Sequence, residues 1–305
     1  MAAESAAQLF VRLGGKQALD GLDTQLFADI PEGIKPGHVL EFSGQEGSGK
    51  SEMLVHLIAN CILPKSWKDL NLNGRSVDVI FVDTDYHFQL LRLVAVLEHR
   101  ILNAIKETPK ESQAACVTTI SNATNCCDNN NAEHHLCYPD KYNDYEDFIQ
   151  KCLSHLFIVR CNNSIQLLAT VLSLENLLVA KPEVGVFIID SFSAFYWVDR
   201  FSGRESLSNQ EANQRKIVDV LARFTQQYHV VLIATKQSLF GSSEKTPRRE
   251  YLCQTWQRLV NFRYEFSRES IRNGEDFVYS VCHTYPPTNK KLRFYIKENG
   301  IQFIN

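Results

Sequence analysis

Apolar residues along this chain fall into two alternating patterns. Short runs at residues 38–42, 77–82, 156–159, 184–189 and 230–234 predict strands, because their length and β-branched content suit a pleated sheet. Between them lie segments with apolar positions three or four residues apart, the period of a helix. Residues 50–62 read as a helix that stops before Pro64. Leu90, Leu93, Leu97, Ile101 and Ala104 share one helical face, and Leu167, Leu168, Val171, Leu174 and Leu178 share another. Ile217, Val220, Leu221, Phe224 and Tyr228 mark a further helix beginning near Ser208, with Ser208 and Glu211 spaced as a capping box. Strands that are apolar on both faces need cover on both faces, so the alternation predicts an α/β fold with a mostly parallel sheet between helices.

Two regions break the rhythm. Residues 107–147 carry Ser112-Gln113, Asn122-Ala123-Thr124 and Asn129-Asn130-Asn131 with little apolar periodicity. They are expected to form a low-complexity, disordered insertion. After Leu239 a polar stretch, 241–249, leads to a short helix within 251–260 and three β-like runs at 262–266, 277–282 and 293–296. Asn299-Gly300 is a hairpin signal, since both residues tolerate positive φ. An antiparallel extension is therefore expected after the parallel core. The division of the chain is residues 1–36 as a short N-terminal segment and 37–305 as the core.

Composition narrows the setting. With 32 Lys+Arg against 35 Asp+Glu the formal net charge is −3, which argues against a polyanion-coating protein but leaves room for a local basic patch. No stretch approaches the roughly 18 apolar residues that a membrane span needs. The nine cysteines are an odd number without framework spacing or a secretory pattern, so they read as reduced thiols of a cytosolic or nuclear protein. Cys126-Cys127, His134-His135 and Cys137 cluster in sequence, but lack the paired C-x₂-C knuckle that shapes a zinc fold.

The chemistry concentrates at strand ends. Gly44-Gln45-Glu46-Gly47-Ser48-Gly49-Lys50-Ser51 fits G-x-x-x-x-G-K-[ST] and stands between a strand and a helix. In such a loop backbone N–H groups wrap phosphate, Lys50 reaches the terminal phosphates, and Ser51 ligates Mg²⁺. Asp190 closes the buried strand after the loop and is the expected second Mg²⁺ partner, so ATP with Mg²⁺ is the implied ligand. Asp85, following another strand, either positions an attacking water or caps a helix. Gln237 ends a third strand as a γ-phosphate sensor or a plain loop residue. Lys236, Lys245, Arg248 and Arg249 form a basic stretch able to meet DNA phosphates, although Glu244 and Glu250 dilute it. Tyr196, Trp197 and Trp256 are either interface anchors or core.

Taken in order, Gly21-Leu22-Asp23-Thr24-Gln25-Leu26, the phosphate loop, Phe81-Val82-Asp83-Thr84-Asp85, the run from Ile188 to Tyr196, and Ala234-Thr235-Lys236-Gln237 resemble the RecA family of recombinases. Ile62-Leu63-Pro64-Lys65, Tyr86-His87-Phe88, Leu91-Arg92-Leu93-Val94 and Ala194-Phe195-Tyr196-Trp197 draw the likeness toward the eukaryotic recombinase paralogues. It covers nearly all of the chain except residues 107–147. The resemblance implies a RecA-like P-loop ATPase core in a nuclear accessory factor of homologous recombination. Such a factor works in a multi-paralogue complex, docks on its D-type member, and helps the main recombinase on single-stranded or branched DNA, with no membrane role. It also places Asp85 where active recombinases have a glutamate base, Gln237 on the switch glutamine, and residues 238–250 on the second DNA-binding loop.

Three departures temper that picture. Asp85 is one methylene shorter than glutamate, and Lys236 stands where the family has asparagine. Residues 1–36 are too few for a helical N-terminal domain and polymerisation linker. The expectation is an adaptor that binds ATP and Mg²⁺, hydrolyses at most weakly, and does not form filaments alone. The alternatives are a P-loop small-molecule kinase with Arg248-Arg249 as a phosphate lid, and a structural subunit whose P-loop is vestigial.

Overall fold

The computed structural model describes residues 21–107, 140–201, 207–238, 250–270 and 277–304, with positions 6, 9 and 19 besides. In chain order the elements are β1 (Val39–Gly44), α1 (Lys50–Ile62), β2 (Ser66–Trp67), β3 (Leu70–Asn71), β4 (Asp78–Asp83), α2 (Leu90–Glu107) and α3 (Asp140–Leu153). Then come β5 (Leu156–Arg160), α4 (Ser164–Ala180), β6 (Val184–Asp190), α5 (Tyr196–Phe201), α6 (Leu207–Gln227) and β7 (Val231–Gln237). The chain ends with α7 (Gln254–Leu259), β8 (Phe262–Ser270), β9 (Phe277–Tyr285), β10 (Pro287–Lys297) and β11 (Gly300–Ile304).

Nine strands form one sheet in the order β11-β10-β9-β8-β1-β7-β6-β4-β5, and β2 pairs with β3 in a separate ribbon. From β8 to β5 all pairings are parallel, whereas β8–β9, β9–β10 and β10–β11 are antiparallel. The period of two along each central strand divides its side chains between two cores. Val79, Phe81, Val186 and Ile188 pack with α1, α2 and α3 on one face. Ile80, Val82, Phe187 and Ile189 pack with α4, α6 and α7 on the other. The predicted mostly parallel sheet with helices on both faces, followed by an antiparallel extension, is the architecture observed.

Boundaries shift where local cues compete with packing. β8 was expected within the antiparallel extension, yet it adds to β1 in parallel and only then leads into the antiparallel strands. The hairpin after β10 forms one residue earlier than expected. Lys297 pairs with Gly300, so Glu298 and Asn299 make the turn and Gly300 enters the strand at φ 110°. Ser208 lies inside α6 instead of capping it, because the helix starts at Leu207. Residues 140–147, assigned to the insertion, begin α3; Phe148, Ile149 and Cys152 supply the buried stripe that holds this helix on the sheet. The rest of the insertion, including the Cys126-to-Cys137 cluster, lies outside the described residues.

Candidate functional site

The phosphate-loop motif occupies the turn from β1 into α1. Gly44 ends the strand in a space that excludes any side chain: a Cβ there would lie 2.5 Å from the Phe266 carbonyl and 2.6 Å from Ser48 Oγ. Gly49 takes φ 91°, a left-handed conformation that turns the chain into α1. Lys50 folds over the loop and donates to the carbonyls of Gly44 at 2.9 Å and Gln45 at 2.8 Å, with Ser48 Oγ at 3.4 Å. Burial pushes the Lys50 ammonium below its ordinary value, while Asp190, Asp85 and Glu46 pull it back up. Glu46 and Gly47 form the exposed tip, so the acidic side chain is not turned into the loop's interior core.

The carboxyl ends of β6, β4 and β7 complete the site. Ser51 Oγ donates to Asp190 Oδ2 at 2.8 Å, and Thr235 Oγ1 donates to Asp190 Oδ1 at 2.5 Å. Both oxygens of Asp190 are thus fixed, one toward the loop and one toward β7. Thr84 ties β4 to β6: its hydroxyl donates to the Ser191 carbonyl at 2.8 Å and accepts from the Ser191 N–H at 2.5 Å. Asp83 is buried at the end of β4, paired in register with Asp190 on one side and Arg160 on the other. Asp85 lies beyond it and reaches solvent, yet the strand ends crowd it enough that desolvation raises its pKa first of all. Asp190 and Asp83 add to that rise, while His87 and Lys50 oppose it. The loop, Lys50, Ser51 and Asp190 have the chemistry to hold a triphosphate and its divalent cation.

Gln237 sits opposite Gly44 in the β1–β7 register. Its N–H donates to Ser193 Oγ at 2.9 Å, its carbonyl accepts from Tyr251 Oη at 2.6 Å, and its side chain is exposed. The backbone is held on both sides, in register with the first glycine of the phosphate loop. Lys236 departs from its expected place on a DNA-facing loop. It is 9% exposed, with Nζ 2.7 and 2.6 Å from the two Glu250 carboxylate oxygens and 3.6 Å from Glu41. Buried charge of this kind persists because it is paired, and the pairing takes Lys236 out of any solvent-facing basic patch. Lys245, Arg248 and Arg249 lie outside the described residues.

Several partners escaped the sequence reading. Thr235, Thr84 and Ser193 look like ordinary strand-end hydroxyls; the only hint is that they cluster at strand ends beside acids. Glu41, 1% exposed inside β1, accepts from Trp256 Nε1 at 2.6 Å and lies 3.4 Å from Arg263 Nε. Trp256 is core, stacked on Phe192 at 4.4 Å, whereas Trp197 is 38% exposed and stacks on Phe201. Among the described residues no helix is long and apolar enough to cross a membrane.

Residues 142–247 match the Rad51 family. The chain is 38% identical to DNA repair protein XRCC2 of Mus musculus over 99% of its own length and 97% of that protein's. It is 25% identical to the DNA repair protein XRCC2 homolog of Arabidopsis thaliana, covering 87% of this chain and 80% of the relative. With DNA repair protein RAD51 of Mycosarcoma maydis it shares 24% identity over 70% of this chain and 47% of the relative. A RecA-like sheet and a full-length likeness at that identity agree: this chain belongs to the XRCC2 family of recombination-repair paralogues, a eukaryotic branch of the RecA-like recombinases.

Proposed function

We propose that this chain is an ATP- and Mg²⁺-binding adaptor subunit of homologous-recombination repair. It works in the nucleus within a multi-paralogue complex, docks on the D-type recombinase paralogue, and assists recombinase assembly on single-stranded DNA. The observation that carries the nucleotide half is the joint placement of Lys50 over the loop and the 2.8 Å bond from Ser51 to Asp190. The full-length XRCC2 likeness supports the adaptor half.

Backbone N–H groups of 47–51 and the Lys50 ammonium would bind the phosphates, while Ser51 and Asp190 would hold the cation. A bound Mg²⁺ neutralises charge on the phosphates and makes the terminal one easier to attack. Thr235 fixes the Asp190 carboxylate so that its other oxygen faces Ser51. Asp85 occupies the base position with a side chain one methylene too short to hold a water firmly in line, which favours binding over turnover.

Titration of the isolated chain with Mg²⁺-ATP, alongside steady-state turnover, tests this. The expected result is saturable binding abolished by Lys50→Ala and turnover below about 0.1 per second, under the usual range for dedicated enzymes. Lengthening the side chain in Asp85→Glu should raise turnover about tenfold. An absence of nucleotide binding, or turnover at ordinary enzyme rates, would contradict the proposal.

A further inference from the structure

The antiparallel extension brings a cation to the phosphate loop that the loop's own motif does not contain. Gly44 pairs with Phe266 in the parallel β1–β8 register, and β8 then runs on past the loop to Ser270. Arg268 lies two residues beyond Phe266, so the strand period of two puts it on the face of Tyr264 and Phe266, against which α1 packs. Its register partner on β9 is Tyr279. Both members of this pair meet the loop: Tyr279 Cδ1 would lie 3.1 Å from a Cβ on Gly49, and Arg268 Nη1 3.4 Å from one on Gly47. Gly47 holds a left-handed φ of 68°, where a side chain is disfavoured, and the guanidinium stands beside the space that side chain would take.

That guanidinium is positioned yet chemically unspent. Its Cζ lies 4.6 Å from the Phe277 ring centroid, a cation–π contact that orients the group. Among the described residues Arg268 makes no ion pair, and its guanidinium donates no hydrogen bond. Other cations of the extension are engaged: Arg263 Nε lies 3.4 Å from Glu41, Lys290 Nζ 3.8 Å from Asp29, and Lys291 bonds Glu269. Arg268 is exposed, so its donors remain available to a ligand at the loop.

Charge at the loop says what such a cation is for. Lys50 feels the acids Asp190, Asp85 and Glu46 together. A triphosphate bound there adds further negative charge, and Lys50 with one divalent cation would stand against all of it. A second fixed cation beside the loop relieves that mismatch. A guanidinium suits the task, because its planar fork can donate to two phosphate oxygens at once.

We propose that Arg268 is a further binding residue of the nucleotide site, contributing its charge to the phosphates of ATP. The inference rests on the nucleotide-binding reading above. Calorimetric titration of the full chain with Mg²⁺-ATP tests it, with inorganic tripolyphosphate as a competing probe that has the phosphates without base or ribose. Arg268→Gln removes the charge at an exposed position. It should weaken ATP and tripolyphosphate alike by about tenfold, with the unfolding temperature of the ligand-free chain unchanged. Arg268→Lys restores the charge without the fork and should recover part of the loss. Arg293→Gln, at another exposed arginine of the extension, should leave ATP affinity as it is. Full affinity in Arg268→Gln, an equal loss in Arg293→Gln, or a loss seen for ATP but not for tripolyphosphate would each overturn this inference and leave the nucleotide-binding reading standing. Tripolyphosphate that fails to compete with ATP would do the same. Wild-type chain that binds no ATP would overturn that reading and this inference together.

Discussion

Lys236 illustrates how far a residue's type can mislead without its neighbours. In the sequence it opens a basic stretch; in the fold its ammonium lies between Glu250 and Glu41, 5.3 Å over the Tyr251 ring. Desolvation pushes the Glu250 carboxyl up, but Lys236, together with the Leu252 N–H and Arg263, more than offsets this and holds it below its usual value. Removing one partner of such a buried pair leaves the other uncompensated. Lys236→Met should therefore destabilise the chain by about 3 kcal/mol, read as a lower urea midpoint, and a near-neutral effect would show that the pair is dispensable. At this scale the grouping of Gly44, Gly49, Lys50 and Ser51 was legible because these residues obey a fixed spacing with a physical reason, and that of Asp190 because it closes a buried strand. Glu41, Thr84, Ser193 and Thr235 were not, since a hydroxyl near a strand end, or an acid within a strand, declares its partner only once the strands are ordered.

Among elements, the antiparallel extension is more than an appendage, because β9 and β10 back the phosphate loop. A Cβ on Gly49 would sit 3.1 Å from Tyr279 Cδ1 and 3.3 Å from Phe294 Cε2, at a φ that disfavours any side chain. Gly49→Ala is predicted to cost about 1–3 kcal/mol of stability and to weaken ATP binding, measured by thermal unfolding and nucleotide titration. An ATP affinity left intact would uncouple the loop from the extension. The N-terminal segment is pinned to α1 and α2 by a buried cluster. His56 Nε2 meets Asp23 Oδ2 at 2.7 Å and its Nδ1 lies 3.0 Å from Arg100 Nη2, while Asn60 Nδ2 donates to the Leu22 carbonyl at 2.8 Å. Burial holds His56 below 6.5, with Asp23 pulling up and Arg100 pushing down. The unfolded chain then binds this proton first, so stability is complete above about pH 6.5 and falls as pH drops toward the lowered folded value. Urea midpoints should fall between about pH 7 and 5. That slope should shrink in His56→Gln; an unaltered slope would remove His56 from the account. Helix cores were readable from periodicity, whereas α3's first turns were hidden in a polar, asparagine-rich stretch and the β10–β11 turn was set by pairing register.

Across the whole molecule, alternation of strand and helix foretold the layered sheet because fully apolar strands leave no other way to be covered. Composition had no means of revealing that β8 would join β1 in parallel, since a β-rich run shows its pattern and not its partner. The proposed adaptor role would be a property of assembly, so it is tested there. Co-expression with the D-type paralogue of the same organism, followed by size-exclusion chromatography with and without Mg²⁺-ATP, addresses it most directly. A stable one-to-one complex is predicted. A monomer that ignores the partner in both conditions would contradict the account.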